Sequence, residues 1–157
     1  MKTTQEWLDA YAVSHKNPMN KLIHWFCIPL IMFSIFGLLM AIPVPVLEFS
    51  FFINFASLIL LLALIFYLRL SFSLFLGFLV IGIAMLLGNY VLFQSLNFDR
   101  GNFALVSFGI FVVAWIGQFV GHKIEGAKPS FFEDLQFLLI GPAWLLHFIY
   151  RKMGLPY

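Results

Sequence analysis

Charge is what this sequence has least of: nine Lys or Arg and seven Asp or Glu in 157 residues, 10% in all, for a net charge of +2. So sparse and scattered a basic complement lacks the stripe of Lys and Arg that nucleic-acid binding needs, and nucleic acid is set aside as a partner. Cysteine is nearly absent as well. Cys27 stands alone inside an apolar run, so it forms no internal disulfide, has no CxxCH haem context and reads as a small buried hydrophobe. There is no glycine-rich phosphate loop, no compact zinc-protease motif and no Ser-His-Asp pattern. A cleaved targeting segment is not expected, because the first stretch of about twenty residues is polar and the apolar run after it is too long for a signal-peptide core.

What is present in excess is hydrocarbon. Hydrophobic residues make up 62% and the mean hydropathy is +0.99, against about 45–50% apolar residues in soluble domains. An integral membrane protein follows. A bilayer core of about 30 Å takes about 20 apolar residues in a helix, and four runs meet that length: 22–42, 49–69, 71–96 and 101–121. Pro43 and Pro45 before Glu48, Arg69 and Ser71, and Asn97 to Asn102 with Asp99 and Arg100 mark short connections, which suggest two stacked helical hairpins. The third run exceeds what a span requires, so either it tilts or part of it belongs to the turn after Arg69. A fifth stretch, 131–150, is interrupted by Glu133, Asp134 and Gly141-Pro142 and reads as a broken, re-entrant or interfacial segment.

The expected fold is therefore all-α: a polytopic membrane helical bundle of four transmembrane helices, an N-terminal amphipathic helix and a C-terminal broken or re-entrant helix, one domain over 1–157. With four spans, Lys2, Lys16, Lys21, Arg69, Lys123, Lys128, Arg151 and Lys152 share one side and Arg100 takes the other. The positive-inside rule then puts both termini in the cytosol, in the inner membrane of a bacterium or the endoplasmic reticulum of a eukaryote. A fifth span would weaken that asymmetry.

The same topology gathers the histidines. His15, His24, His122 and His147 all fall at the edges of apolar stretches, and four spans bring them to one membrane face. Thr3 and Glu6 fit a capping box, and Leu8, Tyr11, Ala12 and His15 share a helical face, which either presents His15 inward or belongs to a surface anchor helix whose histidine is merely solvated. Asn17-Pro18 suits the cap and first position of the next helix, where Asn20 and His24 lie one turn apart. Trp115, Gln118, His122 and Glu125 form a second stripe within a sector of about 80°. Polar groups in a membrane are costly and usually face partners or cavities. The bland reading is interhelical hydrogen bonding by Gln118 and His122; an amide, an imidazole and a carboxylate on the face that holds His24 favour a metal site. Imidazole suits Fe, Zn, Cu or Ni, and Glu125 can ligate the metal or orient a ligating histidine. Spacing leaves Fe2+ and Zn2+ both open.

At these clusters the sequence resembles the 2-hydroxy fatty acid dioxygenase family. The resemblance lies in His15-Lys16-Asn17-Pro18-Met19-Asn20-Lys21-Leu22-Ile23-His24 with Pro29, and in Trp115-Ile116-Gly117-Gln118-Phe119-Val120-Gly121-His122 with Glu125 and Lys128-Pro129. It extends to Gly141-Pro142 and Lys152-Met153-Gly154. It implies an Fe2+-dependent membrane enzyme that takes a long-chain 2-hydroxy fatty acid and O2 to the acid one carbon shorter. On that resemblance His15, His24 and His122 are metal ligands, and Asn17, Asn20, Gln118 and Glu125 are supporting catalytic residues. His147 departs from the family pattern, which often has an acidic residue there, and is either a substitute ligand or a packing residue. Glu125 comes one residue earlier than in a family relative. Two rival classes stand beside this reading: a non-catalytic membrane scaffold or lipid-binding protein, which needs no metal, and a zinc-dependent hydrolase of membrane lipid, which needs no O2.

Overall fold

The computed structural model describes residues 3–45, 50–126 and 131–156. Lys2, Glu48, Lys128 and Pro129 lie outside them, as do the side chains of Glu133 and Asp134. The described chain is all helical: α1 (Thr4–Ala12), α2 (Pro18–Ala41), α3 (Phe55–Leu70), α4 (Phe72–Ser95), α5 (Arg100–Glu125) and α6 (Phe131–Met153).

Local chemistry sets the helix ends. Thr3 and Glu6 form the reciprocal capping box at α1, with the Thr3 amide donating to Glu6 Oε2 at 2.6 Å and the Glu6 amide to Thr3 Oγ1 at 3.2 Å. Asn17 caps α2, accepting from the Met19 amide at 2.9 Å, with Pro18 at the first helical position. Asp99 caps α5, and Gly126, left-handed at φ 74°, ends it.

Among the described residues three helices, α2, α4 and α5, are long and apolar enough to cross a membrane. The second expected span is shorter than its run of apolar residues. Residues 51–54 are bends, and α3 has 16 residues, about 24 Å of helix against a core of about 30 Å.

The helix pairing differs from two sequential hairpins. The most extensive contact joins α2 to α5, and the next joins α3 to α4. The α2–α5 seam is antiparallel: Asn20 meets Gly121, Cys27 meets Gly117 and Gly37 meets Ser107. Gly117 and Gly121, four residues apart, present bare backbone to α2, and a Cβ at either would run into Cys27 Sγ or Asn20 Oδ1. Small residues at this spacing let two membrane helices approach closely.

The sequence reading of α6 as a broken segment needs correction. The helix passes through Gly141-Pro142 without interruption. Proline removes the hydrogen bond to the carbonyl four residues back and costs about 3 kcal/mol in a helix interior. Packing overrides that cost here. Residues 140–147 are all buried, and Tyr67 Oη donates to the Leu139 carbonyl at 2.7 Å beside the proline gap. Farther on, Tyr150 Oη donates to the Ser73 carbonyl at 2.6 Å, fastening α6 to the start of α4. The N-terminal helix α1 lies against α6 with Leu8 and Tyr11 buried.

Candidate metal centre

Three elements meet where α2 begins and α5 ends. The 13–17 connector brings His15, the second turn of α2 brings His24, and the last turn of α5 brings His122. Their rings stand nearly perpendicular in pairs: His15–His24 at 4.4 Å and 83°, His24–His122 at 5.1 Å and 87°, His15–His122 at 5.6 Å and 68°. One nitrogen from each lies within 4.8 Å of the other two. A metal ion with nitrogen ligands at about 2.1 Å brings such atoms about 3–3.5 Å apart, so a slight contraction would close the set on an ion.

Hydrogen bonding decides which nitrogens are available. His15 Nδ1 lies 2.8 Å from the Tyr11 carbonyl and His24 Nδ1 lies 2.9 Å from the Asn20 carbonyl. A carbonyl only accepts, so both Nδ1 atoms carry the proton and both Nε2 atoms hold a lone pair. This is the arrangement of metal-binding histidines, whose distal N–H is fixed by backbone or carboxylate. His15 Nε2 and His122 Nδ1 are buried without a hydrogen-bond partner among the described residues. Burial pushes the His15 imidazole below its ordinary value, which the Tyr11 carbonyl only partly offsets, so the ring is neutral at pH 7. The donor set, three imidazole nitrogens that converge, fits a borderline metal ion.

Glu125 has a different place from either role the sequence suggested. Its Oε1 accepts from the Lys16 amide at 2.8 Å, and its Oε2 from the Asn17 amide at 2.9 Å and Asn20 Nδ2 at 3.0 Å. The carboxylate thus ties the end of α5 to the 16–20 segment. His15 and His24 flank that segment, so Glu125 sets the spacing of two histidines without touching them. Asn17 contributes its cap and its amide. Asn20 is fully buried; its carbonyl orients His24 and its Nδ2 also reaches the Ser14 carbonyl at 3.3 Å.

A cavity opens from the triad, walled by Tyr11, Ile28, Ile31, Met32, Trp115, Gln118, Phe137, Leu138, Gly141 and Pro142. Gln118, buried one turn before His122, is a polar group in a largely apolar wall. Tyr11 stacks on His15 at 4.1 Å and 11°, and Trp144 packs on both rings. Trp144 escaped the sequence reading, and Gly141 entered it as an interruption and a family feature, not as part of the site. Gly141 leaves room for Tyr11, whose hydroxyl would lie 3.0 Å from a Cβ there. Their signal, an apolar helix of uncertain placement, carried no hint of which face met His15.

His147 is not brought into the group. Among the described residues the three histidines alone are so placed. His147 is buried on α6 beside Phe148, with ring centroids 5.4 Å apart.

The family model described as "2-hydroxy-palmitic acid dioxygenase Mpo1-like" matches residues 1–153. The chain belongs to the Mpo1-like family. The 2-hydroxy-palmitic acid dioxygenase MPO1 of Saccharomyces cerevisiae (strain ATCC 204508 / S288c) is 31% identical over 152 residues, covering 94% of this chain and 79% of the yeast protein. No solved structure matches. The Mpo1-like match spans both histidine-bearing segments and all six helices to Met153.

Proposed function

We propose that this protein is an Fe(II)-dependent dioxygenase of fatty acid α-oxidation, converting a long-chain 2-hydroxy fatty acid and O2 to the acid one carbon shorter with loss of the carboxyl carbon. The observation that carries this reading is the triad itself. Two buried imidazoles, His15 and His24, and the half-buried His122 bring one nitrogen each to one place at the head of an apolar cavity, in a chain whose yeast relative is named for 2-hydroxy-palmitic acid.

His15, His24 and His122 would hold the metal. Iron held there would supply the activation of O2. The protein's own residues do the rest. The Tyr11 and Asn20 carbonyls keep both Nδ1 protons outward, so the lone pairs need no rearrangement on binding. Glu125 and the Asn17 cap keep His15 and His24 at fixed separation. Gln118, in the cavity wall, would donate its amide hydrogens to the acid head group and so hold C2 near the triad. Ile28, Ile31 and Met32 exclude water and receive hydrocarbon. His147 has a packing role.

The reading also places the site in the membrane. Four spans with both termini cytosolic put the triad at the cytosolic boundary, where the polar head of a fatty acid resides and its tail points into the core.

The test is turnover. Protein purified without oxygen and reconstituted with Fe(II) should consume O2 with 2-hydroxy-palmitic acid and yield the acid one carbon shorter by mass spectrometry. No shortened acid, or conversion of a membrane lipid by the zinc form without O2, would overturn the proposal.

A further inference from the structure

Met32 and Pro142 border three spaces at once: the histidine cavity and two apolar clefts. One cleft lies abreast of the triad, along Trp25 to Met32 of α2, and extends toward Ile149 of α6. The other leaves the triad behind. It follows α2 from Met32 to Phe36 and crosses to Leu60 of α3 and Phe78 and Gly82 of α4. From His24 to Phe36 the helix advances about 18 Å. That compares with about 15 Å, half the hydrocarbon core, which the acyl chains of one leaflet fill.

The walls of this second cleft suit hydrocarbon and little else. Phe36, Leu60 and Phe78 are buried, and the hydroxyl of Tyr67, a polar group in the lining, donates to the Leu139 carbonyl. At the junction Pro142 has no N–H to present, and Met32 is unbranched and adaptable. At the far end a Cβ on Gly82 would collide with Leu60 Cδ1, so the Leu60 side chain fills the space that glycine leaves.

We propose that the α2–α3–α4 cleft beyond Met32 is the acyl subsite: it takes the tail of the 2-hydroxy acid, and Leu60 against Gly82 forms its far wall. This rests on the function proposed above. Shortening the wall should lengthen the preferred substrate, and filling the cleft should shorten it.

The experiment uses the iron-loaded protein and a series of 2-hydroxy acids from medium to long chain. Leu60→Ala should move the optimum to longer acids. Ala63→Phe, on the cleft wall, should move it to shorter ones, with kcat/KM falling about fourfold for each methylene denied burial. In parallel, a long-chain 2-hydroxy acid with a diazirine at its methyl end should crosslink to the Phe36, Leu60 and Gly82 segments, a readout independent of turnover and of either variant's folding. An unchanged optimum in both folded variants, or crosslinks at Trp25, Leu145 and Ile149 of the other cleft, would overturn the assignment. Wild-type protein that converts no 2-hydroxy acid would instead defeat the proposed function, and the crosslinks would still decide the cleft.

Discussion

The α2–α5 seam carries two buried polar clusters, one at each end, and they are built alike up to a point. At one end Asn20 and His24 press on Gly121; at the other Asn89 and Ser107 press on Gly37, with Asn89 Oδ1 2.6 Å from where a Cβ would sit. Each has polar atoms without partners among the described residues: His15 Nε2, His122 Nδ1 and Asn20 Oδ1 in the first, Asn89 Oδ1 and Ser107 Oγ in the second. In the second, Asn89 Nδ2 donates to the Phe33 and Met85 carbonyls, both at 3.0 Å, and Ser34 donates to Ile31 within its own helix. What remains there is an acceptor and a rotatable hydroxyl, which a small torsion can join. The first cluster has no such escape. The imidazoles of His15 and His24 are fixed through Nδ1, and lone pairs that face one another call for a shared proton, a cation or a donor that the described residues do not supply. Burial of polar atoms is common to both ends; fixed, converging lone pairs mark the site.

Breaking the first cluster should have the largest effect. His24→Ala should abolish metal retention and lower turnover by more than about a hundredfold, since even residues that merely orient ligands are worth about ten- to hundredfold. Asn89→Leu, in the second cluster, should leave metal content unchanged. Metal analysis and O2 uptake on the same preparations check both. Next comes the tie between α5 and the 16–20 segment. Glu125→Gln keeps the shape but weakens three charge-assisted hydrogen bonds, so Fe(II) affinity should fall about ten- to hundredfold. Excess Fe(II) should restore most turnover, as a metal titration of the variant would reveal.

The two glycines sharpen the comparison further. Gly121→Ala and Gly37→Ala should each destabilise the bundle by about 1–3 kcal/mol through overpacking, measured by unfolding in detergent. Only Gly121→Ala should also weaken metal binding, because it displaces Asn20 and crowds His24, whose Cε1 lies 3.3 Å from the added carbon. Equal metal affinity in both would erase the distinction. The smallest change is Ser107→Ala, which removes a hydroxyl without a partner among the described residues. Stability should shift by less than about 1 kcal/mol, with turnover intact.

How much of this was legible in the sequence follows from range. The α1 capping box, the Asn17-Pro18 start of α2 and the length of α4 are local, and residue type and spacing disclose them. The convergence of His15, His24 and His122 was legible through topology, since charge asymmetry and histidine placement favour the same arrangement. The partners of Glu125 were not, because a carboxylate that binds backbone amides more than a hundred residues away leaves no pattern in its neighbours. Nor was the continuity of α6. Gly141-Pro142 is a local signal for a break, and only the enclosure of residues 140–147 by other helices overrides it. His147 shares its residue type and its place at an apolar edge with the other three; sequence alone had nothing to separate it.

The most direct measurement is the metal content of anaerobically purified, detergent-solubilised protein, beside His15→Ala, His24→Ala, His122→Ala and His147→Ala. Near-stoichiometric iron in the parent and in His147→Ala, lost in the other three, is the result this account predicts. A parent that binds no metal after Fe(II) reconstitution, or iron retained in His15→Ala, His24→Ala and His122→Ala alike, would contradict it.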